Sequence, residues 1–130
     1  MLICDTNNDG LYDFDLTSQN ATILNGQDPN LYTIKYFANA SDYANNIAIA
    51  TPTAYMNQNA YQSESIIAEV SNNENSTCKS TTSFFIDVFD APKPNVATNI
   101  TNLNSSDNTS IGTDTDGRVV FDLTQRAAAI

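Results

Sequence analysis

Histidine is absent from this 130-residue sequence, and basic residues are scarce. Without histidine, catalysis by a Ser-His-Asp or Cys-His arrangement and every histidine-ligated metal site are excluded. Five Lys and Arg against 15 Asp and Glu give a net charge of -10, whereas nucleic acid and anionic membranes both attract a basic face. No apolar run approaches the ~18 residues that a membrane span needs, and no signal peptide is visible. We therefore expect neither nucleic-acid binding nor membrane insertion.

Charged side chains of either sign are also few. They make up 15% of the chain, against about 25% in ordinary globular domains. Short uncharged side chains take their place, because Asn, Thr and Ser account for 44 of the 130 residues. Such side chains bond to nearby backbone groups and favour turns and strands over long helices. The composition predicts an extracellular, β-rich protein without catalytic activity.

The only two cysteines, Cys4 and Cys78, are 74 positions apart. Redox pairs usually lie close in sequence, and a nucleophilic cysteine requires a histidine that this chain lacks. Two cysteines alone do not build a closed thiolate zinc site. Of these interpretations we favour a structural disulfide between Cys4 and Cys78, which implies export to an oxidising compartment.

A segment near the start of the chain returns near its end. Residues 6–17 match residues 113–124 at a constant offset of 107, including the pattern D-G-x-x-x-F-D-L-T in both copies. Such self-similarity indicates one whole module followed by the start of a second. We therefore divide the chain into a module at 1–91, a linker at 92–110 rich in Pro, Asn, Ser and Thr, and the start of a second repeat at 111–130.

Within the first module, apolar and polar residues alternate with a period of two. This pattern covers residues 31–37, 64–70 and 82–89 and predicts half-buried antiparallel strands. Short helical segments are expected over 18–24 and 41–46. With about seven short strands, the chain is predicted to be an all-β, immunoglobulin-like antiparallel β-sandwich.

Four segments also carry a family resemblance: ICDTNNDGLYDFDLT (3–17), ILNGQ (23–27), YTIKYF (32–37) and NSTCKSTTSFFIDV (75–88). In this order they resemble a tandem repeat of giant Bacteroidota surface proteins, and the resemblance covers nearly all of residues 2–92. It implies an immunoglobulin-like extracellular module without catalytic activity. It also implies a parent protein that is exported by the type IX secretion system and is associated with gliding and adhesion.

One loop has the chemistry of a metal site. Oxygen-bearing residues alternate before Gly10, as they do in calcium-binding loops. Six residues could supply the ligands of a calcium ion: Asp5, Asn7, Asp9, Leu11, Asp13 and Asp15. The alternative is a tight turn in which the acidic side chains cap backbone N–H groups. Calcium is therefore a possible cofactor, and both interpretations stand.

The second copy departs from the first at two positions. Ile111 stands where the first copy has Cys4, and Gly112 stands where it has Asp5. Asp114 and Asp116 remain as a second, less complete candidate metal site.

The fragment at 111–130 is too short to bury a face of its own, because a module needs several strands. Its apolar pattern predicts one strand, with the residues Arg118, Val119, Val120, Phe121, Asp122, Leu123 and Thr124. An exposed strand normally pairs with a sheet. We predict that it docks by β-augmentation on its own module or on a neighbouring copy. In the second case, head-to-tail contacts would propagate into a fibre.

Three functions fit these features, and all three place the protein outside the cell or on its surface. The first is a structural or adhesive module of a large bacterial surface protein, whose partners are adjacent repeats and a surface glycan or protein receptor. The second is a subunit of an extracellular filament assembled by strand exchange between copies. The third is a glycan-binding accessory module of a secreted enzyme. Imaging of native material separates the first two, and a glycan array tests the third.

Overall fold

A computed structural model describes residues 1–96, 98, 102–107, 109, 111–113 and 115–129. The chain divides into two compact units, Met1–Ala91 and residues 92–130. All of the strands described lie in the first unit. Within the described part of the chain, no helix is both long enough and apolar enough to cross a lipid bilayer.

The first unit contains six strands and two short α-helices. In chain order they are β1 (Leu2–Asp5), β2 (Asp13–Phe14), α1 (Asn20–Leu24), β3 (Tyr32–Phe37), α2 (Ala40–Ala44), β4 (Tyr55–Met56), β5 (Glu64–Asn72) and β6 (Lys79–Asp90). A 3-10 helix at Leu16–Gln19 leads into α1, and another at Leu123–Ala129 lies in the second unit.

The strands form two sheets. Four of them lie in the order β1-β6-β5-β3, and β2 pairs with β4 in a separate antiparallel ribbon. The pairs β3–β5 and β5–β6 are antiparallel, whereas β1 runs parallel to the end of β6. The predicted all-β sandwich is confirmed, with six strands in the described residues instead of seven and with one parallel pair.

The core lies between the two sheets. Along β6 the side chains alternate, because Ile86 and Val88 are buried while Phe85 and Phe89 are exposed. One cluster joins the buried residues of both sheets: Phe14, Leu16, Tyr36, Tyr55, Ile66, Ala68, Ile86 and Val88. Burial of each large apolar side chain contributes about 1.5–3 kcal/mol to folding. The period-two pattern of the sequence therefore sets which face of the sheet packs inward.

Side-chain caps begin both helical segments. The first helical segment, which was expected from residue 18, begins slightly earlier, because Asp15 caps a 3-10 turn that begins at Leu16. The Asp15 carboxylate accepts the backbone N–H of Thr17 at 3.0 Å. In the same way, the Asn39 side chain accepts the N–H of Asp42 at 2.9 Å at the start of α2. These bonds satisfy N–H groups that have no partner within the helix.

Candidate functional site

The two cysteines lie at opposite ends of the four-stranded sheet. Cys4 in β1 is the register partner of Phe89, near the end of β6, whereas Cys78 immediately precedes the first residue of β6. An extended strand rises about 3.3 Å per residue, so roughly 35 Å separates the two ends. A disulfide requires Cα atoms within about 7 Å.

The predicted intramolecular disulfide is therefore wrong for this fold. Both Cys4 and Cys78 are free and exposed. Their early and late positions suggested that they meet across the sandwich. The parallel pairing of β1 instead places Cys4 beside the far end of β6, a full strand length from Cys78.

Cys4 lies among exposed apolar side chains on the sheet face that is turned away from the core. Leu2 and Cys4 stand opposite Asp87 and Phe89 in the register of β1 and β6. Leu2 is 71% exposed, Phe85 61% and Phe89 50%. Apolar side chains exposed side by side are typical of interaction surfaces. We refer to Leu2, Cys4, Phe85 and Phe89 as the Cys4 patch.

Cys78 lies in the turn between β5 and β6. Its carbonyl accepts the N–H of Asn72 at 3.0 Å, which closes the hairpin. Beside it a groove of about 480 Å³ opens, lined in part by the half-buried apolar side chains of Ile23, Tyr32 and Val70. We refer to Cys78 with these three residues as the Cys78 groove.

A second depression near this end holds both basic side chains of residues 1–91, Lys35 and Lys79. The Lys79 ammonium lies 2.7 Å from the carboxylate of Glu69, which is buried. It also lies 5.9 Å from the centre of the Tyr43 ring. The hydrogen bond to Glu69 raises the pKa of Lys79, against the opposing effect of burial. This ion pair joins β5 to β6 and compensates a buried carboxylate that would be costly alone.

Asp5 ends β1 and organises the acidic loop that follows it. Its Oδ2 atom accepts the N–H groups of Asp9 and Gly10, each at 2.7 Å, and its Oδ1 atom accepts that of Asn7 at 3.1 Å. Burial acts to raise the pKa of Asp5, but the backbone N–H groups, that of Gly10 foremost, hold it below its usual range. Gly10 has φ +77°, and a side chain there would collide with Tyr61 at 2.8 Å.

This geometry is that of a hydrogen-bonded turn. The oxygens of Asp5 are directed at the backbone, and Asp9 accepts the N–H of Leu11 at 2.8 Å. Asp13 lies in β2, and Asp15 caps the 3-10 helix. Among the described residues, no group of three or more His, Cys, Asp or Glu could hold a metal ion. Calcium binding by this loop stays a prediction for calorimetric titration of chelator-treated protein.

The second copy repeats local hydrogen bonds of the first at the same offset of 107. The N–H of Arg118 donates to the Asp116 carboxylate at 3.0 Å, as its counterpart does in the first copy. The N–H of Thr124 donates to Asp122 at 3.0 Å, again as in the first copy. The helix Leu123–Ala129 corresponds to the first 3-10 helix together with α1. Asp114, the other residue of the second candidate metal site, lies outside the described residues.

The strand predicted over residues 118–124 is absent from the single chain, and its docking on a neighbouring copy stays a prediction. Residues 118–122 have no regular secondary structure, and Leu123 begins a 3-10 helix. In the first copy the matching segment forms only the two-residue strand β2, which depends on β4 much later in the repeat. Asp122 caps a helix at the point where the strand was expected to continue.

The alternating pattern over residues 82–89 held a signal for the Cys4 patch that our sequence reasoning missed. It placed Phe85 and Phe89 on the same face as Asp87, although large aromatic side chains are unusual on a solvated face. Asn57 was also missed, since nothing distinguishes it locally in an asparagine-rich chain. It is buried, and its side chain bonds to the backbone of Tyr12 at 2.8 Å and of Gly10 at 2.9 Å.

The fold and the two separated thiols define an all-β structural domain whose cysteines face outward. A family model described as the Flavobacterium inter-domain disulphide bond domain (FIDD) matches residues 1–94. Because this match covers well over half of the chain, the chain belongs to that family, a structural module of Bacteroidota proteins. Comparisons with curated proteins and with solved structures find no match.

Proposed function

We propose that residues 1–91 are a non-enzymatic structural domain of a large extracellular protein, joined to other domains by disulfide bonds through Cys4 and Cys78. One observation carries this proposal: both thiols are exposed, and they stand a strand length of roughly 35 Å apart. Neither thiol can reach the other within the folded domain. The family description, which names an inter-domain disulphide bond, supports the same use of the cysteines.

Covalent links have a physical purpose in a domain of this charge. Residues 1–91 carry two basic and 11 acidic side chains, so neighbouring copies repel one another at long range. A disulfide holds such domains together at any dilution, provided that they are in an oxidising compartment. This requirement agrees with a location outside the cell.

The proposal also covers the export of the parent protein and its role at the cell surface. The resemblance of residues 2–92 to repeats of Bacteroidota surface proteins supports export by the type IX secretion system and a spacer or adhesive role in surface attachment or gliding. The alternative of a filament assembled by strand exchange has no support from the single chain, in which residues 118–124 do not form a strand.

Peptide mapping of native material tests the proposal. Cells are treated with an alkylating reagent before lysis, and the surface protein is then digested without reduction and analysed by mass spectrometry. We expect the Cys4 and Cys78 peptides each to be linked to a peptide from outside their own module. A reduced sample is the control. Recovery of both thiols in alkylated form, or of a Cys4–Cys78 link within one module, would contradict the proposal.

A further inference from the structure

The surfaces around the two cysteines differ in shape and in charge. We propose that the Cys4 patch of one copy docks in the Cys78 groove of a second copy, head to tail, so that Cys4 of the first bonds to Cys78 of the second. This inference rests on the proposed function and names the partner of each thiol.

One of the two surfaces presents exposed apolar side chains, and the other is a partly apolar depression. The Cys4 patch projects apolar side chains from a sheet face, and Leu2, Phe85 and Phe89 are each at least half exposed. The Cys78 groove is a depression of about 480 Å³ whose apolar lining is half-buried. Docking would remove both apolar surfaces from water, and each would bring its cysteine to the centre of the contact.

Charge disfavours the symmetric arrangement in which two Cys4 patches face each other. Asp87 stands beside Leu2 at the Cys4 patch, so two such patches facing each other would oppose like charges. The other end of the sheet carries Lys35 and Lys79, whose two positive charges are balanced by those of Glu69 and Glu74. In the head-to-tail arrangement the acidic patch of one copy instead meets an end of the second copy whose charges balance.

The repeat limits where the second copy lies. The copy that begins at residue 111 has Ile111 in the place of Cys4. That copy has no thiol with which Cys78 could bond in this manner. The partner of Cys78 is therefore a copy on another chain, or one further along a longer chain.

The bond itself forms by thiol–disulfide exchange. A small-molecule disulfide accepts the two electrons and two protons of the Cys4 and Cys78 thiols and leaves as two thiols. One Sγ–Sγ bond forms between the copies as the bond of the small molecule breaks.

Two single-cysteine variants of the full chain separate the possible pairings. Cys4→Ser and Cys78→Ser are each incubated with oxidised glutathione, alone and as an equimolar mixture, and are analysed on non-reducing gels. We expect the mixture to form a covalent dimer and each variant alone to stay monomeric, whereas the wild type forms a ladder of oligomers. Circular dichroism verifies that both variants are folded.

Three results would overturn the head-to-tail pairing. Dimers of Cys4→Ser alone would mean that Cys78 bonds to Cys78, and dimers of Cys78→Ser alone would mean that Cys4 bonds to Cys4. In both of these cases the inter-domain disulfide of the proposed function survives. No dimer in any combination would show that a second copy is not the partner, and peptide mapping of native material then decides the proposed function separately.

A patch variant tests whether docking guides the bond. In the mixture, adding Leu2→Ser and Phe89→Ser to the Cys78→Ser variant, which supplies Cys4, should slow dimer formation about tenfold, because less apolar surface is buried in the encounter. Ile47→Ser is the matched control, since Ile47 is 60% exposed but lies outside the patch. Equal rates for the patch variant and the control would overturn the docking step.

Discussion

Asp5 is a buried acid whose pKa is nevertheless lowered, and the cause is local. Three backbone N–H groups within the next five residues point at its carboxylate. The charged side chain thus acts as a template for the loop between β1 and β2. In the second copy Gly112 holds the matching position, and the N–H of Gly117 instead donates to Asp107 at 2.7 Å. The turn is retained there although its acceptor comes from another place in the sequence.

Replacement of Asp5 by Asn should destabilise the protein at neutral pH. The amide supplies only one oxygen, and its NH₂ group cannot accept a hydrogen bond, so either the N–H of Asn7 or those of Asp9 and Gly10 lose their acceptor. Because the folded-state pKa of Asp5 lies below 3.8, its contribution is fully present above about pH 4 and is lost as the pH falls through the folded-state pKa. Urea denaturation from pH 3 to pH 7 should therefore show a lower and flatter stability profile for Asp5→Asn.

The control for this experiment is Asp13→Asn, because Asp13 is an exposed carboxylate in β2. It should leave the free energy of unfolding at pH 7 nearly unchanged. If the Asp5 and Asp13 variants lose the same stability, the loop does not depend on the Asp5 carboxylate.

Replacement of Asn57 by Ala should lower the free energy of unfolding by about 1–3 kcal/mol, the usual cost of buried polar groups that lose their partners. The Asn57 side chain bonds to backbone atoms of Tyr12, Gly10 and Asn59. Asn59→Ala makes the same chemical change at an exposed side chain and should have little effect in the same denaturation assay. Equal losses would contradict a bridging role for Asn57.

Among the elements, β6 carries both the fold and the candidate interface. One face supplies Ile86 and Val88 to the core, and the other supplies Phe85 and Phe89 to the Cys4 patch. Both faces follow from the alternation of side chains over residues 84–89 of this 12-residue strand. The two roles can therefore be separated by single substitutions on adjacent residues.

Ile86→Ala should cost about 2–5 kcal/mol, because it leaves a cavity in a fully buried part of the core. Phe85→Ser should change stability by no more than about 0.5 kcal/mol, since Phe85 is 61% exposed. Equilibrium denaturation measured by circular dichroism compares the two variants with the wild type. A large loss for Phe85→Ser would mean that Phe85 supports the fold and is not kept for an interface.

The elements also show which features local pattern can predict. Alternation located β3, β5 and β6, because each has one apolar face over six residues or more. It could not predict that the four-residue strand β1 pairs with the end of β6, since that contact joins opposite ends of the module. The error in the disulfide and the error in the strand at 118–124 share this origin. Both depended on which distant segments meet, which period-two alternation does not encode.

At the scale of the whole molecule, the position of each thiol relative to the sheet decides the chemistry of the domain. A bond between Cys4 and Cys78 would close most of the first unit into a loop and stabilise it alone. Because the thiols lie at opposite ends of the sheet, no internal bond contributes to stability and the domain depends on its core. Both cysteines are then free to react with thiols outside the domain. Concentration distinguishes these two cases, because an internal bond forms at any dilution and a bond between copies does not.

The wild-type chain should therefore form no internal Cys4–Cys78 bond while it is folded. On oxidation with glutathione over a wide range of dilutions, covalent oligomers should increase with protein concentration, and the digested monomer band should contain no Cys4–Cys78 peptide. Oxidation in concentrated urea is the matched control, because the unfolded chain can close the 74-residue separation by diffusion at only a modest entropic cost. The internal bond should then appear in the monomer. An internal bond that forms equally in the folded chain would mean that β1 does not stay paired with the end of β6. That result would contradict the proposal that both cysteines bond to other domains.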